Sequence, residues 1–204
     1  MVAAGTARTR QRRSFMTTLL KLSHTFVAVI LLVCGLLMIN ATSAMAQVAC
    51  PVGTITNAGL PDINGDHVFC GEINSKGKAV GFHSRPGGSN PAGGGITNVV
   101  ITQPANPMGI YNISFKKNGV QKSISTMFPD SCSQDEVVNS ILYAEANQEA
   151  CPAGAPGWVV CGKNRPDPVM ATQGPYCEGD DDSNRFYIAV GVNGGNINTA
   201  FPLR

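Results

Sequence analysis

The feature that most constrains how this chain can fold is its cysteines. Six of the seven, Cys50, Cys70, Cys132, Cys151, Cys161 and Cys177, lie beyond an apolar N-terminal leader. An even number in an exported domain reads as three disulfides. There is no C-x-x-C, and His67-x-x-Cys70 is the one ligand-like spacing, so no zinc site is expected. One pairing is excluded by a helix. Residues 133–150 open on Ser133-Gln134-Asp135-Glu136, a capping box with acidic residues at the positive end of the helix dipole. Val137, Ile141, Leu142 and Ala146 form its apolar stripe. A helix of that length spans roughly 25 Å. A disulfide needs Cα atoms within about 7 Å, so Cys132 and Cys151 do not pair. The other pairings stay open.

The leader also places the cysteines in an oxidising compartment. Arg8, Arg10, Arg12, Arg13 and Lys21 precede an apolar run from Phe26 to Ile39, and Ser43-Ala44-Met45-Ala46 supplies small residues for processing. This predicts a secretory signal over residues 1–46, cleaved before Gln47, and a secreted or periplasmic product. A retained anchor is the alternative, disfavoured by the short run and the A-x-A ending. Arg12-Arg13-Ser14-Phe15-Met16 has some twin-arginine character, and the export route stays open. Leu31-Leu32-Val33-Cys34 is a poor lipoprotein box because Val33 is too large. Cleavage changes the charge: all thirteen acidic residues lie after Ala46, against ten of the fifteen basic ones, a net of −3. That excludes the basic surface of a general nucleic-acid coat. Any positive field is local, from Arg85, Lys116, Lys117 and Lys122.

Past a Gly- and Pro-rich lead over residues 47–64, the pattern is that of an α+β domain with antiparallel sheets, spanning residues 65–204. Val99 to Thr102 reads as a strand. Gly109 to Lys117 and Val120 to Phe128 flank Asn118-Gly119, the dipeptide of a type I′ hairpin. A period of two puts Val120, Lys122, Ile124 and Thr126 on one face of the second strand. Arg185 to Val192 and Asn196 to Phe201 make a last hairpin around Asn193-Gly194-Gly195. Ser84 to Gly95 reads as a surface loop. Glu178-Gly179-Asp180-Asp181-Asp182 lacks the alternating ligands of a calcium loop and reads as a solvated acidic turn.

Beyond the leader there are two histidines, sixteen residues apart: His67 in H-V-F-C-G-E-I-N and His83 in A-V-G-F-H-S-R-P. The stretch His67 to Gly88 resembles the bacterial EndoU endoribonucleases. The resemblance continues in K-S-I-S-T-M-F-P-D from Lys122 and in G-G-N-I-N-T-A-F-P from Gly194. It covers roughly residues 65–204. It implies a disulfide-stapled EndoU-like nuclease fold of the ribonuclease A-like superfamily and a metal-independent endoribonuclease with no cofactor. Single-stranded RNA would be cut by attack of its own 2′-hydroxyl, leaving a 2′,3′-cyclic phosphate. Such a reaction needs a base, an acid and a cation for the growing phosphate charge. The resemblance maps these onto His67, His83 and Lys122, with His83 as the base by analogy alone. Thr126, Thr199, Phe201 and Arg85 are the expected substrate contacts.

Phe201 stands where the family typically has tyrosine. A phenyl ring still stacks on a base but cannot donate a hydrogen bond. That departure and the acidic charge leave a rival reading, an extracellular binding module with little activity. The resemblance also suggests an antibacterial toxin or effector with an immunity protein as partner, or a freely secreted nuclease. DNA and membranes are not expected partners, and the domain is expected to be a monomer.

Overall fold

The computed structural model describes residues 45–204. The predicted signal sequence lies outside these residues but for Met45 and Ala46. Two adjacent hairpins organise the domain. Asn118 and Gly119 take φ of 49° and 85°, the positive values a type I′ turn requires. They join strands β6 (Tyr111–Lys117) and β7 (Val120–Met127), and β5 (Ile96–Gln103) pairs on the other side of β6. Around Gly194 and Gly195 the chain turns between β10 (Tyr187–Asn193) and β11 (Asn196–Pro202).

The second hairpin is the middle of a six-stranded sheet. Its order is β1 (Thr54–Ile55), β2 (Ile63–Asn64), β11, β10, β9 (Val160–Lys163) and β8 (Gln148–Glu149). All its pairings are antiparallel except β2 with β11. A third, two-stranded sheet joins β3 (Glu72–Ile73) and β4 (Ala79–Val80). The α+β class with antiparallel sheets is thus as expected. The lead is not all loop, for it supplies β1 and β2.

Helix α1 (Gln134–Ala146) carries the complete capping box: Ser133 Oγ accepts from Glu136 N, and Ser133 N donates to Glu136 Oε2 at 2.7 Å. It ends four residues earlier than expected, because Gln148 and Glu149 pair with β9 instead. The stripe shifts with it: Val137, Ile141, Leu142 and Ala144 are buried, whereas Ala146 is exposed. Gly162 lets α1 approach β9, since a Cβ there would sit 2.1 Å from the Ala144 carbonyl oxygen.

Two apolar cores result. The larger joins α1 to the six-stranded sheet through Ile63, Val68, Phe69, Phe128, Val137, Ile141, Ile188 and Val190. The smaller holds Phe82, Tyr111, Ile113, Phe115 and Met127 under the three-stranded sheet. The six cysteines form Cys50–Cys70, Cys132–Cys177 and Cys151–Cys161, with Cα separations of 5.1 to 6.0 Å. Cys132 and Cys151 do not pair, in keeping with the helix between them. Among the described residues no helix is long and apolar enough to cross a membrane.

Candidate active site

The two histidines meet because one backbone crossing allows it. His67 sits in a π-helical turn, Asp66–Cys70. Gly81 passes so close that a Cβ would lie 2.2 Å from the His67 carbonyl oxygen, and its φ is +70°. Only glycine tolerates both conditions. Phe82 is also left-handed, with φ 61°, and its fully buried ring meets Phe115 edge-on. Phe82 N then donates to His67 O and His83 N to Val68 O, each at 2.7 Å. The imidazole centroids end 5.9 Å apart with planes 27° from parallel.

The two rings are set up differently. His67 Nδ1 lies 2.9 Å from Glu72 Oε2. Asn64 holds that carboxylate through Nδ2, 3.3 Å from each oxygen, and accepts from the His67 backbone N–H. Burial lowers the His67 pKa from its ordinary value, while Glu72 works against that shift. His83 Nδ1 donates to the Thr126 carbonyl at 2.9 Å, which leaves Nε2 as the bare, basic nitrogen. Burial drives the His83 pKa well below the ordinary range, helped by the positive charges of Lys122 and His67.

Lys122 reaches this place through a bulge. Phe115 pairs with Lys122 but Ile113 with Ser125, so β7 has one residue more than β6 across this step. Strict alternation fails there. Lys122, Ser125 and Met127 face the small core, while Ile124 turns out and is 65% exposed. The expected single face of Val120, Lys122, Ile124 and Thr126 does not exist. Lys122 Nζ donates to Gly81 O at 2.7 Å and to Ser125 Oγ at 3.0 Å. Ser125 Oγ in turn lies 3.2 Å from His83 Nδ1. Among the described residues no carboxylate pairs with Lys122. Burial without a counter-charge brings its pKa down to about 8. Two of the three ammonium protons are used, leaving one for an anion.

The remaining candidates divide. Phe201 on β11 stacks on His83, with centroids 5.2 Å apart and 30° between planes. Thr199, two residues earlier, is buried opposite Gly191. Thr126 meets the site through its carbonyl, and its side chain belongs to the register position opposite Asn112. Arg85 turns elsewhere. Its Nε donates to Tyr111 Oη at 2.6 Å and its Nη2 to Asp130 at 3.2 Å, in a separate cavity of about 170 Å³ that Gly109 and Asp180 also line. Its charge is therefore committed to Asp130. Asp180 and Asp181, in the acidic turn, accept from Ser131 Oγ and from Ser183 and Asn184.

Glu72, Asn64 and Ser125 are site residues that reading the sequence overlooked. Glu72 alone left a signal, a carboxylate five residues after a candidate histidine. Asn64 and Ser125 left none, since each is defined by what it touches across the fold.

Two imidazoles of unlike environment beside an uncompensated, partly buried cation are equipped for proton transfer next to negative charge, on an antiparallel α+β scaffold. The chain belongs to the bacterial EndoU nuclease family: the family model described as Bacterial EndoU nuclease matches residues 61–204, from just before β2 through β11. No curated protein and no solved structure matches the chain significantly.

Proposed function

We propose that this nuclease domain is a metal-independent endoribonuclease cutting single-stranded RNA to a 2′,3′-cyclic phosphate. The observation that carries the reading is the histidine pair at 5.9 Å with Lys122 linked to His83 through Ser125. His83 Nε2 takes the 2′-hydroxyl proton. The 2′-oxygen then bonds to phosphorus as the bond from phosphorus to the 5′-oxygen breaks. His67, kept able to hold a proton by Glu72, gives that proton to the departing 5′-oxygen. Lys122 neutralises the charge growing on the phosphate. Phe201 and Thr199 border the nucleotide. The unequal surroundings of the two rings support this division of roles, because Glu72 favours imidazolium at His67 whereas the carbonyl at His83 fixes a neutral tautomer.

The three disulfides fit an oxidising compartment, and the leader supports export. Export suits either a freely secreted nuclease or an antibacterial effector restrained by an immunity protein. The test is uridine-containing RNA incubated with oxidised protein in excess EDTA. Cleavage with a cyclic-phosphate end is expected. Loss on chelation, restored by manganese or calcium, overturns the metal-free mechanism. RNA that binds uncut favours the binding module, the reading that Phe201 in place of tyrosine recommends.

A further inference from the structure

We propose that Trp158 is a nucleobase platform that holds a second nucleotide, the chain neighbour of the one that meets Phe201. This inference rests on the endoribonuclease reading. Trp158 is the only tryptophan of the chain, yet it is 64% exposed. A single exposed apolar residue is ordinary. This one stands at the rim of the site. Its ring centroid lies 6.3 Å from that of Phe201, which in turn stacks on His83. Four rings, His67, His83, Phe201 and Trp158, thus follow one another outward from the reacting groups.

The fold keeps the indole there. A turn closed by Val159 N to Pro156 O presents Trp158, inside the short loop bridged by Cys151–Cys161. Below the ring is Gly191 of β10. A Cβ at Gly191 would come 2.7 Å from Trp158 Cζ3 and equally close to Thr199 Cγ2. Its backbone angle is not one that demands glycine, so the missing side chain is what makes room for the indole beside Thr199.

A platform also answers a problem of charge. Beyond the leader the chain is net acidic, and Arg85 is neutralised by Asp130. A broad positive groove is therefore not the source of affinity. Stacking of a base on an aromatic ring needs no charge and tolerates any base. The 53° tilt between the Trp158 and Phe201 rings suits two bases that are splayed apart rather than stacked on each other.

The sole tryptophan makes the test direct. The oxidised protein is titrated with a short uridine-containing RNA carrying a 2′-deoxy nucleotide at the scissile position, and tryptophan fluorescence is followed. Quenching is expected, and it should vanish when the nucleotide on one side of the uridine is made abasic. With cleavable RNA, Trp158→Ala should raise KM roughly 5- to 150-fold, the usual worth of one stacked base, at nearly unchanged kcat. Trp158→Phe should recover most of that loss, and neither variant should move the melting temperature. On the abasic RNA, Trp158→Ala should cost nothing further. If quenching is absent, or Trp158→Ala binds and cuts like the parent, the platform is overturned while cleavage by the parent keeps the nuclease reading. Base-dependent quenching by RNA that the parent never cuts sustains the platform and overturns the nuclease reading.

Discussion

The six-stranded and three-stranded sheets both reach the site, but only the first is cross-linked. The larger core contains or borders Cys50–Cys70 and Cys132–Cys177, and Cys151–Cys161 anchors on β9 of the same sheet. It carries Thr199 and Phe201 on β11 and the π-helical turn of His67. The β5–β7 sheet has no disulfide, and Val100, Ile101 and Ile124 are exposed to solvent on it. It delivers Lys122 and Ser125, held by packing of Phe115 against Phe82 and by hydrogen bonds to Gly81 and Phe82. Cross-links mainly restrict the unfolded chain and tolerate a loose surface. A partly buried lysine with a lowered pKa instead needs close packing, because more water reaching it would return that pKa towards the ordinary value. Each half of the site is secured by what its chemistry needs.

The largest effect should come from emptying the uncrosslinked half. Phe115→Ala removes a fully buried ring and should cost about 3–5 kcal/mol of stability by urea unfolding. It should also abolish cleavage, since Lys122 pairs directly with Phe115. A Phe115→Ala protein that keeps its stability would show that the small core does not hold this half.

Removing a cross-link from the other half should cost somewhat less. Cys132→Ser with Cys177→Ser opens a bridge of sequence separation 45 and should lose about 2–4 kcal/mol. Opening Cys151–Cys161, with separation 10, should lose less. Both variants should still cleave where they remain folded, since neither bridge touches the histidines. Selective loss of catalysis without loss of stability would contradict that division.

At the seam between the halves, His67→Ala and His83→Ala should each slow cleavage at least about a hundredfold. The pH profile should be bell-shaped. Its acid limb belongs to His83, which must be neutral and whose pKa lies well below 6.5, and its alkaline limb to His67, which must hold a proton and whose pKa is also lowered from 6.5; a further loss follows at about pH 8, where Lys122 gives up its proton. Stability carries the same sign. A histidine with a depressed folded pKa binds fewer protons folded than unfolded, so stability falls as pH drops below about 6.5. Glu72→Gln should lower the His67 pKa further, read by NMR titration. An unchanged His67 titration would remove Glu72 from its role. The smallest effect belongs to Ile124→Ser on the exposed side of the bulge, within about 0.5 kcal/mol by the same unfolding measurement.

Local rules explain what was legible. The hairpins at Asn118-Gly119 and around Gly194-Gly195, the capping box at Ser133 and the even cysteine count each depend on contiguous residues or on simple number. They could be read directly, as could the blocks that carry family membership. Strand β9 and the short β1 and β2 escaped, because their few residues have no period and are strands only through their partners. Lys122 was found by its motif, but the face it occupies was missed: strict alternation cannot foresee an extra residue on one strand. Arg85 looked free in the sequence, and only the fold brings Asp130 and Tyr111 to it. The chain by itself thus determined the class of fold, the number of staples and the reactive groups on offer. Tertiary structure alone decided which cysteines meet, which histidine faces a carboxylate and which a carbonyl, and that Lys122 lies partly buried without a counter-charge. Those properties arise between residues far apart in sequence, where distance and exclusion of water set the chemistry.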